Sequence, residues 1–190
     1  LPITGGREIS ADLAIGPDGR AVAVSATDAG LRWWRGPVSA AGVALAELPA
    51  LGTAERVGRG VGSPRIAVGS SRDALSAWIA PGGIARAAPV ADDLGVAPPL
   101  TLGQDRSSSR ARVAVGRERL GAVAWLSEGR VLAVVRGADG NTSARAALSR
   151  PGVPSSQPPA LAMDEGGTAV AMWSRRRGGR SVIERAVYAP

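Results

Sequence analysis

The chain has 190 residues, 23 basic against 16 acidic, for a net charge of +7, and every basic residue is Arg because the sequence holds no Lys. It also holds no His and no Cys. This excludes an imidazole base, a thiolate nucleophile, a disulfide, a cysteine or histidine zinc site and, without Lys, a Schiff base or phosphate-binding loop lysine. Ala, Gly, Arg and Pro fill 99 of the 190 positions, the signature of a GC-rich coding sequence, so part of the charge reflects codon usage. The 45% apolar content supports one domain with a core of Val, Leu, Ile, Ala and five Trp.

In chain order, Leu1-Pro2-Ile3-Thr4-Gly5 spells a sortase-type string but stands at the wrong end of the chain, and reads as the end of a strand like Pro99 to Gly103. Four segments then align without gaps: Leu13 to Ser25, Ile66 to Trp78, Val113 to Trp125 and Leu161 to Trp173. Their starts are spaced 53, 47 and 48 residues apart. Each runs apolar-Ala-apolar-Gly/Asp, three or four turn residues, then apolar alternation ending in Trp. In the first copy Ser25 replaces the Trp, and Trp33 and Trp34 are expected to fill its space. Short alternating runs around turns such as Pro17-Asp18-Gly19 read as β-hairpins. A third strand follows in every unit (Leu31 to Trp34, Ile84 to Ala88, Val131 to Val135, Ser181 to Tyr188), and a fourth in three units (Val43 to Leu48, Val96 to Leu102, Ser143 to Leu148). The Ala-rich stretch Val43 to Leu51 also has the composition of a helix. Segments of 11–51, 64–102, 111–148 and 159–190 are therefore expected as four sheets of one 1–190 region, with 1–5 completing the last.

Four strands at this period fit a β-propeller blade, so the expected class is all-β, built of four-stranded antiparallel blades. Leu161-Ala162-Met163-Asp164-Glu165-Gly166-Gly167-Thr168-Ala169-Val170-Ala171-Met172-Trp173 resembles bacterial β-propeller repeats with an A-x-D-x-x-G-x-A-V-A-x-W core, and Gly16-Pro17-Asp18-Gly19 is similar to the hairpin of TolB-type and WD40-like propeller repeats. The resemblance implies architecture and leaves activity open, because propellers host binders, scaffolds, hydrolases and lyases. A closed four-blade ring and an arc of a larger propeller both fit; the start at Leu1 favours an arc. Secreted relatives of this kind imply an extracytoplasmic location. No apolar run spans a membrane.

The aligned Trp78, Trp125 and Trp173 are expected to pack between blades. Gly16, Gly69, Gly116 and Asp164 share one position, where turn geometry favours Gly or Asp. Asp139 to Ser143 starts like a calcium loop but lacks its later ligands, so it reads as a turn; Asn141-Thr142-Ser143 matches a glycosylation sequon by chance. The paired acids Asp92-Asp93 and Asp164-Glu165 point apart. The lone Tyr188 sits in a third strand, away from a propeller axis, so no catalytic constellation forms, and no cofactor or metal is expected.

Propeller topology sorts the charges. Loops joining strand two to three, and strand four to the next strand one, share a face. On it fall ten Arg (Arg56, Arg59, Arg106, Arg110, Arg130, Arg150, Arg175, Arg176, Arg177, Arg180) against four acids, whereas the opposite face carries six Arg against eight acids. The expected function is a non-catalytic binding or scaffolding module that presents an Arg-rich face, chiefly Arg106, Arg110, Arg130, Arg175, Arg176, Arg177 and Arg180, to an anionic ligand or protein partner. The alternative is a fragment of a propeller hydrolase or lyase whose catalytic residues lie outside this chain. The Arg residues are not interleaved with aromatics, which disfavours nucleic acid.

Overall fold

The computed structural model describes residues 8–49, 63–91, 95–105, 107–150 and 157–190. The expectations for 1–5, Arg56, Arg59, Asp92, Asp93 and Arg106 lie outside the described residues. The described chain is all-β: four antiparallel sheets follow one another in sequence. The first contains β1 (Glu8–Ile15), β2 (Arg20–Thr27), β3 (Gly30–Ser39), β4 (Gly42–Val43) and β5 (Ala46–Glu47). The second contains β6 (Arg65–Val68), β7 (Ala74–Ala80), β8 (Ile84–Ala91), β9 (Gly95–Val96) and β10 (Leu100–Gln104). The third contains β11 (Ser109–Val115), β12 (Gly121–Ser127), β13 (Arg130–Arg136) and β14 (Ala146–Ala147), and the last β15 (Ala160–Met163), β16 (Ala169–Arg177) and β17 (Arg180–Tyr188).

Each sheet is a meander, and in the second and third sheets the middle strand is the apolar one because it is covered on both faces. In β7 every residue from Ala74 to Ala80 is buried. The fourth strands are shorter than the sequence predicts. Pro98 and Pro99, which have no N–H to give a ladder, separate β9 from β10. In the first sheet the Ala-rich stretch is not helical; it breaks into two-residue strands where the backbone at Ala44 passes over Gly36, so closely that a Cβ on Gly36 would sit 1.6 Å from the Ala44 carbonyl oxygen.

Successive sheets pack face to face. Val22, Val24, Leu31 and Trp33 of the first sheet meet Ile66, Trp78, Ala88 and Val90 of the second. The second sheet's other face, with Leu75, Ala77 and Ile79, meets Val123, Trp125 and Val134 of the third. Val131 and Leu126 of the third meet Trp173 and Leu161 of the last. The arrangement is propeller-like. Trp78, Trp125 and Trp173 all point to the preceding sheet and are at most 4% exposed, so they are inter-sheet core, as the periodicity predicts.

The first sheet corrects one expectation. The β2–β3 register sets Ser25 against Arg32 and Ala23 against Trp34, so Trp34 shares a face with Ser25 while Trp33 points the other way. Trp33 stacks edge-on against Trp78 with centroids 6.1 Å apart and donates its indole N–H to Ser76 Oγ at 3.0 Å.

The shared glycine position also has a different cause from the predicted turn chemistry. A Cβ on Gly69 would lie 2.1 Å from the Gly116 carbonyl oxygen, and one on Gly116 would lie 2.6 Å from the Asp164 carbonyl oxygen. These glycines are where the first strands of neighbouring sheets come backbone to backbone. The two outermost sheet faces carry exposed apolar side chains, Leu13 and Ile15 at one end of the stack and Met172, Ile183 and Val187 at the other.

Candidate anion-binding site

The strand order places the turns 16–19, 69–73, 116–120 and 164–168 at one end of the sheets, here the upper end, and the turns after β2, β7, β12 and β16 at the lower end. Arg110, Arg130, Arg175, Arg176, Arg177 and Arg180 belong to strand segments at the lower end, as predicted. The two-residue turns there are tight: Glu128 and Gly129 have φ of 50° and 71°, Gly178 and Gly179 of 55° and 78°. Such turns suit the strand twist and set Ser127 against Arg130 and Arg177 against Arg180.

The structure divides the predicted residues. Arg175 is withdrawn from any ligand: its side chain is 6% exposed and its Nη2 lies 2.7 Å from Glu184 Oε1. Glu184 Oε2 also accepts the Trp173 indole N–H at 3.2 Å. The group is a buried brace between β16 and β17. Arg176, Arg177, Arg180 and Arg110 are exposed. Among the described residues, these four and the half-buried Arg130 form no ion pair.

Sequence reasoning missed two arginines. Asp12, Arg65 and Arg112 occupy the position just before the aligned repeat in the first three sheets, on β1, β6 and β11, and the last sheet has Ala160 there. These innermost strands are neighbours, so the three side chains gather. Arg65 Nη1 lies 3.6 Å from Asp12 Oδ1, while Asp12 Oδ2 accepts the Ile66 N–H at 3.0 Å. Burial, then the positive charges of Arg65 and Arg110, hold the Arg112 guanidinium below its ordinary pKa, against the opposing pull of Asp12. Arg65 and Arg112 thus gather about one carboxylate, with the charge of exposed Arg110 nearby. The aligned column Asp12/Arg65/Arg112 was the available signal.

At the upper end charges are matched from sheet to sheet. Arg72 Nε lies 3.6 Å from Asp18 Oδ2, Arg119 Nε 3.8 Å from Asp73 Oδ2, and Arg117 Nη2 3.7 Å from Glu165 Oε2. Arg35, buried, donates to the carbonyls of Arg72 at 2.8 Å and Ala91 at 3.2 Å. Among the described residues no group of three His, Cys, Asp or Glu side chains is placed to hold a metal, and no helix is long and apolar enough to cross a membrane. Tyr188 lines an apolar cavity of about 360 Å³ between the third and last sheets. At 139–141, Asn141 donates its backbone N–H and its side-chain amide to Asp139 at 3.0 and 2.7 Å, a turn motif.

No family model matches the chain, and no curated protein matches it. Solved structures do. AofleA from Arthrobotrys oligospora aligns with a TM-score of 0.53 at 11% identity, over 96% of this chain and 57% of its own. A multiple arginine-to-alanine mutant of AofleA gives 0.56 at 10% identity over the same shares. A protein of unknown function from Dyadobacter fermentans gives 0.59 at 11% identity, over 92% of this chain and 51% of its own. The Dos1 propeller aligns with a TM-score of 0.49 at 8% identity, over 85% of this chain and 41% of its own. At these identities the likeness is one of fold, and the chain spans about half the length of the first three structures.

Proposed function

We propose that the chain is a non-catalytic binding module of the β-propeller kind, four sheets of a ring, and that it holds an anionic ligand against its innermost strands, from their midpoint toward the lower end. The observation that carries this reading is the Arg65–Arg110–Arg112 cluster with its single acid, Asp12. The exposed Arg176, Arg177 and Arg180 add positive charge at the lower end of the last sheet. Arg suits the task because its planar fork pairs bidentately with carboxylate, sulfate or phosphate. Its resemblance to secreted propeller repeats supports a role outside the cytoplasm, with an acidic polysaccharide or acidic protein surface as the ligand class.

The test uses a fluorescently labelled heparin oligosaccharide as the polyanion probe, with binding read by anisotropy across a series of NaCl concentrations. Binding should weaken steeply with salt, as exposed charge contacts do. Arg112→Gln should lower the affinity by about tenfold, the order of one charge-assisted contact. Binding that ignores salt, or is unchanged by Arg112→Gln, would overturn the assignment.

A further inference from the structure

A second charged site lies at the upper end, remote from the cluster above. Between the second and third sheets opens a cleft of about 230 Å³ whose walls are apolar, with Leu75, Pro89 and Val115 among them, and whose charged groups are Asp73, Arg119 and Arg136. The volume falls below the roughly 300–1,000 Å³ of sites for drug-sized ligands, so the occupant is small.

The two arginines are held in place by the fold. Arg119 sits in the left-handed region with φ of 66°, at the repeat position where the first and last sheets have Gly19 and Gly167, also with positive φ. A non-glycine residue there carries strain of about 1–2 kcal/mol, and the result is a side chain directed across the inter-sheet gap to Asp73. Arg136, the last residue of β13, donates from Nη1 to the Arg119 carbonyl oxygen at 2.7 Å. Its Nε is buried and has no hydrogen-bond partner.

The lining sets two arginines against one acid, Asp73, with Asp139 near Arg136 outside it. Asp73 is shared: its Oδ2 lies 3.8 Å from Arg119 Nε and accepts the Ser71 hydroxyl at 3.3 Å. Burial, and next the positive charge of Arg119, lower the Arg136 pKa, while Asp73 and Asp139 oppose them. The pair of guanidinium groups therefore repel each other beside an apolar recess, and the buried Arg136 Nε–H has no acceptor. Each of these costs is relieved by one kind of ligand.

We propose that this inter-sheet cleft binds a small monocarboxylate, its carboxylate between Arg119 and Arg136 and its aliphatic or aromatic body against Leu75, Pro89 and Val115. A single negative charge balances the two arginines and Asp73. A neutral isostere leaves the like charges facing each other, and a cation adds to them. Inorganic phosphate brings a second charge and no apolar body for the recess.

Isothermal titration calorimetry with hexanoate and benzoate, each against its amide, tests the assignment, with hexylamine and inorganic phosphate as further probes. Saturable binding of a carboxylate, at least about tenfold tighter than its amide, is expected. Arg136→Met, which keeps the aliphatic stem, should reduce that affinity by about tenfold or more. Ala97→Leu, which fills the cleft without touching a charge, should reduce it as well, while Arg20→Gln on the same end leaves it unchanged. A thermal melt of each variant separates loss of the site from loss of the fold. Equal binding of acid and amide, a preference for phosphate, carboxylate binding that survives both cleft substitutions, or no saturation by about 10 mM would overturn the proposal.

Discussion

The two ends of the sheets carry the same residue type and use it in opposite ways. At the upper end Arg72, Arg117 and Arg119 reach acids on neighbouring sheets, and Arg35 and Arg136 cap backbone carbonyls. At the lower end Arg110, Arg130, Arg176, Arg177 and Arg180 have no ionic partner among the described residues. The difference follows from chain geometry. Upper turns stand beside the close backbone approach of the glycine column, within side-chain reach of each other. The two-residue lower turns project from the sheet ends. Arginine near the glycine column is tied into sheet-to-sheet contacts, and the lower-turn arginines away from it stay at least partly exposed.

Substitutions can break or sharpen that contrast. The largest effect is expected from Gly69→Ala at the upper end. Its Cβ would meet a backbone oxygen, which cannot step aside like a side chain, so urea denaturation should show a loss of about 3 kcal/mol, the upper range for overpacking. Next comes Glu184→Gln, which removes the charge facing buried Arg175 but keeps an acceptor for Trp173. Breaking a buried pair costs about 3–5 kcal/mol, and the partial exposure of Glu184 reduces this to about 2 kcal/mol. It would mark Arg175 as a lower-end arginine that serves the fold.

Replacing Arg176, Arg177 and Arg180 by Gln should then change stability by less than about 0.5 kcal/mol each while lowering the salt concentration at which the protein leaves a heparin column. A stability loss comparable to that of Glu184→Gln would erase the contrast. The smallest effect belongs to Asp139 at the upper end. The Asn141 backbone and side-chain hydrogen bonds hold its carboxyl below the usual carboxylate range. A depressed folded pKa contributes stability above the unfolded value, about 3.9, and loses it as pH falls through the folded value. The melting-temperature gap between wild type and Asp139→Asn should therefore be present at neutral pH and close under acid.

The sheets were legible in the sequence because two-residue alternation, turn residues and an aligned Trp all repeat at one period. The short fourth strands were not: Pro98-Pro99 and the crossing over Gly36 act through local backbone limits that a hydrophobic run does not display. Strand order indicates which end carries the described arginines, but it does not show that Arg175 is buried and paired. Its partner Glu184 lies diagonally across the hairpin, opposite Trp173, and only the register fixed by Gly178-Gly179 shows this. The glycine column was visible as a recurrence while its cause, a neighbouring carbonyl, belongs to another sheet. The inter-sheet cleft was the least legible feature, since Asp73 comes from the second sheet, Arg119 and Arg136 from different parts of the third, and the three share no spacing.

In a stack where each sheet touches mainly its neighbours, cooperativity is graded along the chain. The second and third sheets are covered on both faces, while the first and last each present an uncovered one. Amide hydrogens in β7 and β12 should exchange most slowly, and those of β15 to β17 should open first. The cleft between the second and third sheets thus lies between the two sheets expected to open last, and a ligand entering it should lose little to ordering it.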